Sequence, residues 1–297
     1  MSTFEHVLVP LRLHSSDGDL LRYARQIAAL ERGRTRFTFL HVLSPPDLAA
    51  FRRAPGRSRL EAMTTMKAAI DEDFGDEFER QLIVRSGDGI DQILELGAEV
   101  DCDLVLVGHR RSARGRRTIA RRVAMQSPVS LWMVPEGALP AIRRVVVGTD
   151  FSLPSSSAVA RAAWIAARSD LPSCTAMYVR GGPEEALELA DPTSLDRVFA
   201  QFLAPIDLHG IAFDRLSIEG ESVAKTVLAD AAPGDLIVMG TRGGGTSAAT
   251  LLGTETEHVL LDADVPVLVT RHRDDPVGIA SVPRHREDRW PEVVKFG

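Results

Sequence analysis

The chain has few aromatic residues and few cysteines, and it lacks both a long hydrophobic run and an excess of positive charge. Aromatic residues make up 5% of the sequence, which argues against a platform on which nucleobases stack. Because the net charge is −6, no overall basic field attracts nucleic acid, and a nucleic-acid partner is not expected. The two cysteines, Cys102 and Cys174, show no metal-ligand spacing and are expected to be reduced, partly buried thiols.

Signals for export and for membrane insertion are missing as well. The N-terminal residues lead directly into a strand-like segment and contain no secretory hydrophobic region. No apolar run approaches the roughly 18 residues that would suggest a membrane span. We therefore expect a cytoplasmic protein that has no membrane partner.

The sequence contains one pattern of apolar segments twice. The strand-like run 7–10 recurs as 145–148, and the later run Asp103–Gly108 recurs as Asp235–Gly240. A repeat of this length indicates a duplicated domain, because each copy has enough apolar segments for a core of its own. A length of 297 residues also fits two domains, because a domain typically has roughly 150 residues.

Strand-like and helical segments alternate in both copies, and runs such as 236–239 are continuously apolar. This pattern is typical of parallel sheets with helices on both faces. One helix is expected near 155–168, with Ser152 or Ser155 as its N-terminal cap. We predict domains at 1–137 and 141–272, joined by a short linker rich in proline and glycine, and a polar tail at 273–297. The tail is expected to be disordered unless its aromatic end docks on the body.

The two copies differ after the glycine that ends the fourth strand-like segment of each. The second copy continues from Gly240 to Gly243 and reaches Gly253-Thr254 after nine further residues, whereas the first copy has arginines in the matching region. Glycines leave no Cβ between the backbone and a ligand. Free N–H groups and the dipole at the start of the helix that follows suit an anion such as a phosphate chain. We expect Thr254 and Glu257 to form a capping box there.

An acidic residue follows the first strand of the second copy. Ligands of open parallel sheets bind beyond the carboxyl ends of the strands, where the strand order reverses. If the first and fourth strands are neighbours, Asp150 faces the glycine loop across one crevice. A flexible glycine loop without a ligand is the alternative interpretation, but Gly253-Thr254 and Asp150 together favour a nucleotide. Neither the dinucleotide-binding fingerprint nor a Walker-type loop is present.

The spacing Gly-x2-Gly-x9-Gly-Ser/Thr, formed by Gly240, Gly243, Gly253 and Thr254, resembles the ATP-binding motif of the universal stress protein family. The likeness extends from Phe4 to Arg271 and is that of tandem-domain members. It implies an α/β fold of two tandem open five-stranded parallel sheets, each in strand order 3-2-1-4-5 with helices on both faces. It further implies that the second domain binds ATP, with or without Mg²⁺. The residues matching that site are Thr149, Asp150, Val179, Gly240, Arg242, Gly243, Gly253 and Thr254.

Within this resemblance, Asp150 lies near the adenine and ribose, the backbone at Val179 holds the base, and the glycine loop and the start of the last helix hold the phosphates. The first copy departs from the pattern. Arg12 matches Asp150, Arg111 matches Gly243, and Arg117-Thr118 matches Gly253-Thr254. We expect these side chains to crowd a nucleotide, so no ATP is expected in the first domain.

The arginine run from Arg110 to Arg122 leaves three interpretations open. It is a solvated helix start, a set of salt bridges to acidic segments of the other copy, or a patch that binds an anion or nucleic acid.

The leading functional hypothesis is a stress-response protein that binds an adenine nucleotide in its second domain, while the first domain is structural or regulatory. The alternatives are a slow ATPase or nucleotide hydrolase, with Asp150 as its candidate base, and an interaction module without nucleotide. No catalytic residue and no metal site is predicted. A homo-oligomer and an unknown protein partner are left open.

Overall fold

The computed structural model describes residues 4–43, 55–109, 118–180, 192–220, 222–242 and 252–272. The first half runs in the order β1 His6–Leu11, α1 Asp17–Leu30, β2 Arg36–Leu43, α2 Pro55–Asp73, β3 Arg80–Ser86, α3 Gly89–Glu99, β4 Leu104–His109, α4 Ile119–Gln126 and β5 Ser130–Pro135. The second half repeats this order with β6 Arg144–Gly148, α5 Leu153–Arg168, β7 Ser173–Arg180, α6 Pro192–Leu203, β8 Ala212–Glu219, α7 Val223–Asp230, β9 Asp235–Arg242, α8 Thr254–Asp262 and β10 Val267–His272.

The strands form one sheet in the order β3-β2-β1-β4-β5-β10-β9-β6-β7-β8. Within each half the strands are parallel and follow the order 3-2-1-4-5, which confirms the predicted fold class. The sequence did not predict how the halves meet. β5 and β10 pair antiparallel, with Leu268 opposite Trp132, so the two five-stranded sheets are continuous with each other.

Apolar side chains cover both faces of this sheet because helices pack on both sides. In β1, Val7 and Val9 point into one hydrophobic core and Leu8 points into the other. Each of the two cores contains residues of both halves. The duplicated domains therefore share their cores instead of touching only through a surface contact.

An aromatic cluster strengthens the junction between the halves. The ring of Phe4 lies 6.1 Å from that of Trp132 and 5.9 Å from that of Trp164, measured between centroids. The guanidinium group of Arg161, on α5, lies 4.2 Å above the Phe4 ring. Burial lowers the pKa of Arg161, and carboxylates of the first half counter that effect. The N-terminal segment thereby connects the first half to α5 of the second.

Helix α5 begins earlier than its apolar spacing predicts. It starts at Leu153 instead of Ser155, and Pro154 lies in its first turn, where its fixed φ suits a helix. Ser152 is the N-cap, and its hydroxyl accepts a hydrogen bond from the Ser155 N–H at 3.4 Å. Of the two predicted caps, Ser152 is the one confirmed.

Cys102 and Cys174 are free thiols, and both are buried. Among the helices that the structure describes, none combines the length and the apolar character needed to cross a bilayer. The described residues also contain no group of three or more His, Cys, Asp or Glu side chains that could hold a metal ion.

Candidate functional site

The crevice of the second half lies at the carboxyl ends of β6 and β9. These strands are direct neighbours, with Val147 opposite Val238. The strand order reverses between them, because the chain runs outward from β6 to β8 and then returns to β9. The adjacency on which the predicted crevice depends is therefore present, and Asp150 lies at the same edge as the end of β9.

A chain of contacts forms the floor of this crevice. The hydroxyl oxygens of Thr149 and Ser155 are 3.2 Å apart, which links the end of β6 to the start of α5. Gly240 packs against the backbone of Pro154 and Ser155. The Thr256 hydroxyl donates to the Gly240 carbonyl at 3.5 Å, which links the first turn of α8 to β9. Ser155 and Thr256 were not predicted as site residues, since no sequence motif distinguishes their hydroxyls from others on helices.

Gly240 has a packing role that the motif does not reveal. A Cβ built on Gly240 would lie 2.3 Å from the Pro154 carbonyl oxygen and 2.9 Å from the Ser155 nitrogen. Both neighbours are backbone atoms at the start of α5, so they cannot rotate away. At the matching glycine of the first half, Gly108, a Cβ would meet Leu20 Cδ2 at an ordinary 3.6 Å. The repeated glycine is therefore obligatory in one half only.

Asp150 is exposed, directly after the end of β6. Its carboxylate accepts a hydrogen bond from the Ser152 N–H at 3.0 Å and another from the Ser152 hydroxyl. Desolvation acts to raise the pKa of Asp150, but hydrogen bonds from Ser152 and Ser155 outweigh it, and the pKa lies below its usual value. The group is thus an ionised acceptor, suited to hydroxyl donors such as those of a ribose.

The turn around Asp150 is the same in both halves. Phe151 has a φ of +59°, and Leu13, at the matching position of the first half, has a φ of +58°. Bulky residues seldom adopt this left-handed conformation. The Phe151 ring packs 4.8 Å from that of Tyr178. The turn geometry therefore belongs to the fold and does not depend on whether Arg12 or Asp150 precedes it.

The capping box predicted at the start of α8 is wrong. The N-cap is Gly253 and Thr254 is the first helical residue, so Glu257 occupies the fourth helical position instead of the third. The Glu257 carboxylate instead pairs with Arg121 of the first half, with 2.6 Å between Oε1 and Nε. For Arg121, this confirms the interpretation of the arginine run as salt bridges between the copies.

A glycine N-cap leaves the first-turn N–H groups of α8 without an acceptor from the capping residue. The other carboxylate of this turn, that of Glu255, accepts hydrogen bonds from the Ala224 N–H at 2.6 Å and from the Ser222 hydroxyl at 3.0 Å. Both acidic side chains near this helix end are therefore bound to protein donors. Gly253 and Thr254 are exposed at this helix end.

The remaining predicted site residues have different surroundings. Thr149 is buried, and its hydroxyl accepts a hydrogen bond from the Phe151 N–H at 3.1 Å, so it supports the turn from within. Val179 lies near the end of β7, beside β6, and its side chain is buried in a core. Of Arg242, only the backbone at the end of β9 is described. Gly243, the stretch 110–117 of the arginine run and the predicted tail 273–297 lie outside the described residues.

The first half has a cavity at the matching place, with a volume of about 360 Å³. It lies at the carboxyl ends of β1, β2, β4 and β5. Arg12 was expected to crowd this crevice, but it is exposed and lines the cavity without filling it. That Arg12 crowds a nucleotide in this crevice stays a prediction.

Three successive backbone donors at the first-half crevice already have an acceptor within the chain. The carboxylate of Asp17, which stands where the second half has Ser155, accepts the N–H groups of Arg12 at 2.9 Å, Leu13 at 2.7 Å and His14 at 3.3 Å. Successive N–H groups of this kind form an anion-binding concavity. Thr118 is the N-cap of α4, and its hydroxyl accepts a hydrogen bond from the Arg121 N–H at 3.2 Å. In the first half the turn after β1 and the start of α4 therefore have side-chain acceptors, whereas Gly253 supplies none at the start of α8.

The profile of the universal stress protein family matches residues 3–135 and 141–271. The chain therefore belongs to the universal stress protein family and contains two tandem domains of it.

Solved structures share the architecture over nearly the whole chain. A universal stress protein from Archaeoglobus fulgidus DSM 4304 has a TM-score of 0.66 at 19% identity, covering 92% of this chain and 99% of that chain. A putative universal stress protein from Pseudomonas aeruginosa UCBPP-PA14 has a TM-score of 0.63 at 16% identity, covering 90% and 93%. At these identities the likeness is one of fold. Among curated proteins, none matches the chain significantly.

Proposed function

We propose that this stress-response protein binds one adenine nucleotide, ATP, in its second domain, and that its first domain binds none. The observation that carries the proposal is the start of α8. Gly253 caps the helix without a side chain, at the crevice that also contains Asp150. Helix N-termini with free N–H groups are natural sites for phosphate.

The predicted residues would divide the nucleotide between them. Asp150 would accept the ribose hydroxyls, and the backbone at Val179, one strand further out, would face the base. The phosphates would lie over the backbone from Gly240 to Gly243 and on the first-turn N–H groups after Gly253. Arg242 would supply a cation beside the phosphates. Mg²⁺, where present, would arrive on the phosphate oxygens, as it usually does in nucleotide sites.

Charge at the first-domain crevice supports the restriction to one site. Among the described residues that line its cavity, three are acidic, namely Asp17, Asp19 and Glu136, and one is an arginine, Arg12. A triphosphate there would meet these carboxylates, and the N–H groups of the turn after β1 already donate to Asp17. Repulsion between like charges in a partly buried site costs several times more than at an open surface.

The number of bound nucleotides tests this proposal. Equilibrium dialysis of the nucleotide-stripped full chain against radiolabelled ATP should saturate near one ATP per chain, because carboxylates line the crevice of the first domain and Gly253 leaves the start of α8 without a side-chain cap. Excess unlabelled ATP serves as the control for specific binding. Saturation near two would show that the first domain also binds, and no saturable binding would refute nucleotide binding altogether.

A further inference from the structure

The cavity of the first domain is a well-formed site that the nucleotide proposal does not use. Its volume of about 360 Å³ falls within the range of small-molecule sites, which is roughly 300–1,000 Å³. Most of its wall is apolar. The apolar wall includes Leu20, Val42, Ile93, Val107, Ile119 and Val134.

Two histidines add hydrogen-bonding groups to this wall. His41 is 8% exposed and His109 is 6% exposed, and both line the cavity. The Nδ1–H of His41 donates to the Leu11 carbonyl at 3.0 Å, which leaves Nε2 as the ring's other hydrogen-bonding atom. Burial lowers the pKa of His109, the nearby Arg12 lowers it further, and Asp264 opposes both effects, so this ring is neutral at physiological pH.

The charged side chains that the structure describes around the cavity disfavour an anion. Three carboxylates line it, and the carboxylate of Asp19 also accepts the Gly137 N–H at 2.7 Å, which leaves that donor occupied. At the start of α3, which borders the cavity through Gly89, Asp88 accepts the N–H groups of Ile90 and Asp91. The starts of α3 and α4 are thus capped by side chains of the chain itself, whereas Ser16 at the start of α1 makes no side-chain cap.

We infer that the first domain binds an uncharged, mainly aromatic molecule of about the size of two fused rings. Such a molecule would place its rings against the aliphatic walls and donate a hydrogen bond from a hydroxyl or amino group to a neutral histidine. A phosphate or carboxylate on it would be rejected. The two domains would then bind ligands of different chemistry in matching crevices, and this inference holds whether or not the second domain binds ATP.

A matched pair of compounds tests the inference. 2-Naphthol is uncharged at neutral pH, and 2-naphthyl phosphate carries the same rings with an anionic group. Titrated into full-length protein labelled at its isoleucine methyl groups, 2-naphthol should shift the NMR signals of Ile93 and Ile119. The signal of Ile237, buried in β9 of the second domain, should not move. 2-Naphthyl phosphate should bind at least about tenfold more weakly, a difference of about 1.4 kcal/mol.

A cavity-filling variant gives an independent readout. Gly108→Leu places a side chain beside Leu20, where a Cβ has only an ordinary contact, and should weaken 2-naphthol binding at least about tenfold. Gly253→Asp, in the second domain, should leave it unchanged. The inference fails if 2-naphthol leaves Ile93 and Ile119 unmoved, if the phosphate binds equally well, or if the shifts appear at Ile237. The wild-type spectra decide the matter even if Gly108→Leu does not fold.

Discussion

Gly240→Ala is expected to lower the free energy of unfolding by about 3 kcal/mol, the upper end of what overpacking costs. For a protein of this size, this corresponds to a fall in Tm of roughly 6–12 °C. The reason is the backbone of Pro154, whose carbonyl oxygen would lie 2.3 Å from the new Cβ. Either β9 or the start of α5 must then move, and both form the floor of the crevice of the second half.

Gly108→Ala is the matched control, because it makes the same change at the corresponding glycine of the first half. Its Cβ would meet only Leu20 Cδ2 at 3.6 Å, and the change also reduces the entropy of the unfolded chain. We expect its stability to equal or slightly exceed that of the wild type in thermal and urea unfolding. Equal losses in the two variants would show that close packing at Gly240 is not what makes a glycine necessary.

Gly253→Asp is expected to reduce ATP affinity at least about 100-fold, which corresponds to about 2.7 kcal/mol. Its backbone conformation, with φ −68° and ψ 150°, suits any residue, and a Cβ there would come no closer than 3.9 Å to Thr256 Oγ1. The new carboxylate would accept the first-turn N–H groups and occupy the place proposed for phosphate. Since Asp is at least as good an N-cap as Gly, the stability of the protein should be maintained.

Two further variants separate charge from capping in this prediction. Gly253→Asn caps the helix without a negative charge and should weaken ATP binding less than Gly253→Asp. Thr118→Asp introduces the same carboxylate at the N-cap of α4 in the first domain and should leave ATP binding unchanged. Calorimetric titration measures all three. Unaltered ATP affinity in Gly253→Asp would mean that the start of α8 does not hold the phosphates.

Local patterns were sufficient to predict most of the secondary structure and the parallel arrangement of strands within each half. The antiparallel pairing of β5 with β10 could not be predicted this way. Both strands read as short buried apolar runs, and nothing in either run identifies its neighbour. The ion pair between Arg121 and Glu257 joins residues 136 positions apart and is likewise invisible to local spacing.

For the site, the sequence located the crevice but not the roles of all its residues. Asp150 and Gly253 lie at the predicted edge, because the carboxyl ends of parallel strands meet there. The capping box at Thr254 failed because α8 starts one residue earlier than expected, which moves Glu257 out of reach of the cap. The packing role of Gly240 depends on the backbone of Pro154, which no motif includes. The open cavity beside Arg12 depends on side-chain directions, which sequence position does not specify.

Photoaffinity labelling with 8-azido-ATP, followed by mass-spectrometric mapping of the modified peptides, tests the difference between the two crevices most directly. The account predicts that the label is confined to the second domain, near the ends of β6, β7 and β9, and that it disappears in Gly253→Asp. Label on peptides of the first domain that persists in Gly253→Asp would contradict it.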